Sequence, residues 1–250
     1  TDTPNGFYPI ELHTLKKYSI LEKYVKACLR FEKIYGNFSY VETHGATGQV
    51  LLKPEGTLID GSVLRAAKLQ PTFPCFVVEV DGERYALLVK SVKGLGNVTP
   101  IYGDCNAKID EILGKIPKWQ RFLFCFLDPD GLVYEGLFKC HQLKWDTIEK
   151  IAIFPRTEVL INFPLEAIKR LAGYFHCRPD DSVSRDYERY ITVFYGSAEW
   201  KKERALNKTR LLDIYKKKLK KHYKHTGGIL IRSMEKNLPL YYLVFASNNF

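Results

Sequence analysis

No stretch of this chain stays apolar for long. None of its 250 residues lies in a run approaching the roughly 18 consecutive apolar side chains that a membrane-spanning helix requires, so no membrane segment is expected. The opening TDTPNGFYPI lacks the basic start and apolar stretch of a secretory signal, which predicts a cytoplasmic protein. The six cysteines (Cys28, Cys75, Cys105, Cys125, Cys140 and Cys177) include no CxxC pair, and most sit in apolar segments such as FLFCFL and ACLRF. That pattern predicts reduced, packed thiols rather than a disulfide frame. Cys140-His141 and His176-Cys177 lack the spacing of ligands on a zinc knuckle, so no metal is expected. No serine or cysteine stands with a histidine at a strand-end elbow, which sets hydrolytic chemistry aside. Internal repeats and low-complexity linkers are absent as well.

What is present is an ordinary globular composition with a basic bias. Hydrophobic residues make up 46% and charged residues 26% of the chain, which excludes disordered, collagenous and coiled-coil classes. Lys and Arg outnumber Asp and Glu by 38 to 28, a net charge of +10 that favours a polyanionic partner such as nucleic acid.

Periodicity orders the chain. Leu12, Leu15, Ile20, Leu21, Tyr24, Val25, Cys28 and Leu29 recur at three- and four-residue steps and predict helix up to Gly36. FSYVE then gives way abruptly to the glycines of THGATG, a strand followed by a Gly-rich turn, as in nucleotide-binding α/β folds. Four more strand signals follow, CFVVEVD, VTPIYGD, RFLFCFLDPDG and EVLINFP, with helical patterns between them. Strands alternating with helices predict a parallel sheet covered on both faces. GGILIRSMEK and LYYLVFAS, joined by a turn at Asn237-Leu238-Pro239, predict an antiparallel hairpin at the sheet edge. Between Pro164 and Gly227 lie roughly sixty residues, far more than a crossover needs. Within them AEWKKERALNKTRLLDIYKKKLKKHYKH reads as a long basic helix, and the aromatics Tyr174, Phe175, Tyr187, Tyr190, Phe194, Tyr195 and Trp200 suit either a core or base stacking.

Parallel sheets bind ligands beyond the carboxyl ends of their strands, so the polar residues there are the candidates. Glu42, Gly45, Ala46 and Gly48 offer a carboxylate for an ammonium group and a turn small enough for close backbone approach, or simply an ordinary strand-to-loop turn. Glu79 and Asp81 suit ribose hydroxyls, or a helix cap. Asp104 and Cys105 stand where an adenine amino group is accepted, and Asp104 serves equally as a cap. Asp128 and Pro129 form a stiff turn able to accept from a flat amine, with Asn162 nearby as donor and acceptor at once. Lys216, Lys217, Lys220, Lys221 and Arg210 are the candidates for phosphate contact.

Taken in order, LKKYSILEKYV, YVETHGATG, DGSVLRAA, FVVEVD, GDCNAKIDEIL, FLFCFLDPDG, VLINFPLEAIKR and LPLYYLVFAS resemble the three-Cys-motif partner proteins, over nearly the whole chain. The resemblance implies a doubly wound, mostly parallel, seven-stranded class I methyltransferase-like (Rossmann-like) sheet with a C-terminal antiparallel hairpin. The resemblance makes 37–250 a methyltransferase-like domain behind the helical lead-in at 1–36, and the surplus length noted above becomes its basic helical insertion at 165–226. It also implies S-adenosylmethionine as cofactor, with Glu42 and the glycines around Ala46 at the methionine moiety, Glu79 at the ribose, Asp104 at the adenine, and Asp128 and Pro129 at the reaction centre. The expected activity is methyl transfer to nucleic acid, at a base amino group for instance, with a clustered-cysteine protein as a further partner. The alternative is a catalytically silent methyltransferase fold that binds nucleic acid or a protein in a larger defence, repair or modification system. Two departures stand out: His44-Gly45-Ala46-Thr47-Gly48 exchanges the usual Ala-Gly order, which sets a methyl group at Ala46 against the cofactor, and Asp130 replaces a frequent aromatic.

Overall fold

Runs such as FLFCFL, apolar at every position, are buried on both faces of a sheet, and the computed structural model places them so. It describes residues 6–35, 38–53, 55–69, 72–116, 122–136, 139–154 and 156–248; Gly36, expected to end the first helix, lies outside them. The elements are β1 (Tyr8–Ile10), α1 (His13–Tyr35), β2 (Phe38–Glu42), β3 (Gln49–Leu52), β4 (Thr57–Asp60), α2 (Ser62–Ala67), β5 (Cys75–Glu79), α3 (Gly82–Ser91), β6 (Val98–Tyr102) and α4 (Cys105–Lys115). There follow β7 (Phe122–Leu127), β8 (Val133–Glu135), β9 (Lys139–His141), α5 (Trp145–Ile153), β10 (Thr157–Phe163), α6 (Leu165–Cys177), α7 (Ser182–Tyr195), α8 (Lys208–Leu219), β11 (His225–Arg232) and β12 (Pro239–Ser247).

The central sheet has seven strands in the order β11-β12-β10-β7-β2-β5-β6. β12 runs antiparallel to both of its neighbours, and the remaining pairs are parallel. The predicted hairpin is present, and its last strand is tucked between β10 and β11. Side chains alternate across the sheet: Phe122, Phe124 and Phe126 of β7 pack with α1 and α2, while Leu123, Cys125 and Leu127 pack with α4 to α8. The chain leaves β2 toward β5 on one side and β7 toward β10 on the other, so the strand order reverses between β2 and β7. A crevice opens beyond the carboxyl ends of the strands at that point.

Three features are absent from the sequence reading. β1, β3 and β4 form a small second sheet, and β8 and β9 a separate hairpin. The long basic helix is broken: a 3₁₀ turn spans Glu199–Lys202, Leu206 takes φ +51°, and α8 begins only after Asn207, whose side chain caps the amides of Thr209 and Arg210. The insertion aromatics Tyr190, Phe194, Tyr195 and Trp200 are buried in the core, with Phe194 stacked on Tyr215 at a 5.0 Å centroid distance. Among the described residues no helix is long and apolar enough to cross a membrane.

Candidate active site

The crevice holds a cavity of about 370 Å³, within the range of small-molecule sites. The predicted Gly45, Ala46, Glu79, Asp104, Cys105, Asp128 and Asn162 all line it. Residues 6–18 close one side: β1 pairs with β3, and Tyr8, Ile10, Thr14, Lys17 and Tyr18 face the same space.

The first turn is held from below. A Cβ at Gly45 would lie 2.4 Å from Cγ2 of Val77, so only glycine packs there. Gly48, at φ +73°, turns its back on α3, where a Cβ would lie 2.7 Å from that of Ser91. This packing fixes Gly45 and Gly48, and Ala46 between them takes the left-handed region at φ +48° in the lining of the cavity. His44 is buried. Its Nε2 lies 3.1 Å from the carbonyl of Gln142, which can only accept, so Nε2 carries the proton and Nδ1 accepts from Thr43 Oγ1 at 2.7 Å. Burial lowers its pKa and keeps the ring neutral.

Not every predicted residue faces the cavity. Glu42 is fully buried beneath it, its two oxygens accepting from Tyr40 (2.7 Å) and Ser62, and burial raises its pKa to about 8 against those bonds. Asp81 caps α3, accepting from the amides of Glu83 and Arg84, and takes a further bond from Tyr134 at 2.7 Å. Gly48 and Pro129 do not line the cavity, although the Pro129 carbonyl accepts from Asn162 at 3.0 Å. Glu79 does line it, with Oε1 accepting from the amide of Asp81 at 2.9 Å and its pKa pushed up by burial to about 7. Asp104 caps α4 and also lines the cavity.

Several cavity residues were not among the predicted site residues. Lys17 of α1 reaches Asp128, its Nζ 2.9 Å from Oδ1 and 2.6 Å from Oδ2. Its position fits the buried stripe of Thr14, Leu21, Val25 and Cys28, and a lysine on that stripe is the clue the periodicity held. Asp130 accepts from Tyr8 at 2.9 Å and from Gln142, so an aromatic reaches this loop from β1. Three buried polar atoms of cavity residues, Asn162 Oδ1, His141 Nδ1 and Tyr241 Oη, have no hydrogen-bond partner.

The five predicted phosphate-binding residues lie away from the cavity. Leu211, Leu212, Tyr215 and Leu219 bury one face of α8, while Arg210, Lys217, Lys220 and Lys221 are exposed and Lys216 is half-buried, 3.9 Å from Asp213. Among the described residues no three histidine, cysteine or acidic side chains group as metal ligands.

No family model matches the chain, and no curated protein does. Solved structures do. A candidate O-methyltransferase from Klebsiella pneumoniae superposes with a TM-score of 0.50 at 10% identity, over 91% of this chain and 79% of that one. A protein from Legionella pneumophila gives 0.54 at 12% identity, over 98% and 86%. An O-methyltransferase from Bacillus cereus in complex with S-adenosylhomocysteine gives 0.47 at 11% identity, over 93% and 80%, too loose to argue from. Identities this low speak to architecture alone. With the strand order, they give the chain the seven-stranded, Rossmann-like fold of class I methyltransferases.

Proposed function

We propose that this protein transfers a methyl group from S-adenosylmethionine to nucleic acid. The observation that carries the reading is the convergence of the Gly45-Ala46 turn, Glu79, Asp104, Asp128 and Asn162 on one cavity at the carboxyl edge of the sheet.

The residues present fit the cofactor. Carboxylates outnumber cations around the cavity, with Glu11, Glu79, Asp104, Asp128 and Asp130 against Lys17 and Arg84, which suits a ligand bearing a sulfonium and an ammonium. Glu79 would hold the ribose hydroxyls and Asp104 the adenine edge. The turn at Gly45 and Ala46 would approach the methionine moiety. The cofactor supplies a methyl on a positively charged sulfur: a nucleophile's lone pair takes the carbon, the C–S electron pair stays on sulfur, and the nucleophile's proton goes to solvent. Asp128 and Asn162 would orient that nucleophile, and β1 with the start of α1 would shield it from water.

A nucleic-acid substrate is supported by the net charge of +10 and by the exposed cations of α8. A clustered-cysteine partner remains part of the proposal by resemblance. A second reading, a catalytically silent binding protein, is favoured by Ala46 standing in the cavity lining where the resemblance expects a glycine. Incubation with methyl-labelled cofactor and either total RNA or duplex DNA separates the two: label in one nucleic acid is expected, and calorimetric binding of cofactor without any transfer would favour the silent protein.

A further inference from the structure

We propose that two copies of this chain form a two-fold dimer through β11, their β11 strands running antiparallel so that Ile229 of one copy lies opposite Ile229 of the other. The inference is independent of the methyl-transfer reading and needs no ligand. The central sheet ends at β11, and among the described residues no strand pairs with its outer side. Alternate residues of such a strand turn their N–H and C=O groups outward, a row of unmade bonds that a further strand completes.

The two edges of the sheet differ. At the far edge β6 (VTPIY) carries Pro100 at its centre, which has no N–H to offer a further strand. β11 (HTGGILIR) is eight residues long and contains no proline, lysine or acid, the residues that usually guard an edge. Its arginine, Arg232, and its one irregularity, between Ile231 and Arg232, both fall at its end. Ile229 in the middle is 45% exposed, while its neighbours Leu230 and Ile231 pack into the cores on the two faces of the sheet. Packing therefore fixes the strand and leaves its edge to solvent.

The strand's own sequence identifies its occupant. From Thr226 to Ile231 it carries no charge, which offers nothing to a phosphate backbone or to a charged peptide. A second copy fits. An antiparallel pair centred on Ile229 sets Ile231 opposite Gly227 and Leu230 opposite Gly228, so each bulky side chain faces a residue without one. Charge selects this register, because it sets Arg232 opposite Thr226, whereas a pair centred on Gly228 would set Arg232 against Lys224. A pair centred on Leu230 would shorten the regular run, which stops at the irregularity after Ile231. One pair of strands is a small interface, so the dimer is a weak one.

Sedimentation equilibrium of the whole protein from about 1 to about 200 µM tests this, with an expected dissociation constant on the order of 10 µM. Two chains of net charge +10 repel, so an uncharged strand contact should tighten as salt rises, and an ionic contact would loosen. Ile229→Lys should weaken the dimer by about tenfold or more, because like charges then meet at the axis, and Ile229→Glu should do the same. An equimolar mixture of the two variants should restore the dimer, since only a residue opposite itself brings that lysine against that glutamate. Hydrogen exchange of the β11 amides in the wild type, slower at about 200 µM than at about 1 µM, reads the same contact without any variant, should either substitution impair folding. The proposal is overturned by a wild type that stays monomeric throughout, by β11 exchange that ignores concentration, or by two folded variants whose mixture stays monomeric.

Discussion

The buried carboxyl of Glu42 makes stability fall as pH rises, and Glu42→Gln should remove that dependence. Burial raises its pKa from 4.5 to about 8, with the bonds from Ser62 and Tyr40 and the charge of Lys17 opposing the shift and the charge of Asp128 adding to it. An acid whose folded pKa is raised keeps its proton in the native state where the unfolded chain has lost it. Its stabilising contribution is thus complete below about pH 4.5 and declines up to about pH 8, at about 1.4 kcal/mol per pH unit. A glutamine keeps the shape and cannot titrate. Between about pH 5.5 and pH 7.5 the wild type should lose roughly 2 to 3 kcal/mol relative to the variant. For a chain of this length that amounts to roughly 5 to 10 °C in melting temperature. Urea unfolding of both proteins across this window, with the slopes compared to confirm similar exposed surface, measures the difference. Other titrating groups, Glu79 among them, contribute to both proteins and cancel. A stability difference that is flat with pH, or that shifts toward the wild type as pH rises, would refute the reasoning.

Glu79, with its pKa near 7, should make binding of S-adenosylhomocysteine strengthen as pH rises through neutrality, since only the ionised carboxylate accepts from both ribose hydroxyls. Glu79→Ala should weaken binding by roughly 1 to 3 kcal/mol and flatten that profile, both measured by calorimetry. Ala46→Gly should relieve the left-handed backbone at φ +48°. Offset by the greater freedom of glycine when unfolded, the gain should be roughly 0.5 to 1 kcal/mol, and a lower melting temperature would contradict it. Reversing Lys216, Lys217, Lys220 and Lys221 to Glu should weaken all nucleic acids about equally and flatten the log-log salt dependence by about 0.9 per lost phosphate contact on duplex DNA. Unchanged affinity at low salt would reduce α8 to a solvated face.

The sheet was legible because its central strands β7 and β10 are largely apolar runs and the breaks around them are sharp. FLFCFL and VLINF can only be strands buried on both sides, and the glycines after Glu42 mark a turn that packing alone demands at Gly45. The strand-end rule likewise located Glu79, Asp104, Asp128 and Asn162. It could not say which acids point into the crevice: Asp81 is taken up by the amides of its own helix and by the distant Tyr134, and Glu42 by Tyr40 and the distant Ser62. Lys17 escaped for the same reason: its partner Asp128 stands 111 residues away. β1, at three residues, is too short to carry a period, and the break before α8 depends on a left-handed leucine with no glycine or proline to announce it. The Asn207 cap was the available sign.

A crystal structure of the protein with S-adenosylhomocysteine tests the central claim most directly. The account predicts the nucleoside between the Gly45-Ala46 turn, Glu79 and Asp104, with the sulfur facing Asn162 and Asp128. Failure of the ligand to bind, or its binding anywhere other than this crevice, would contradict the account.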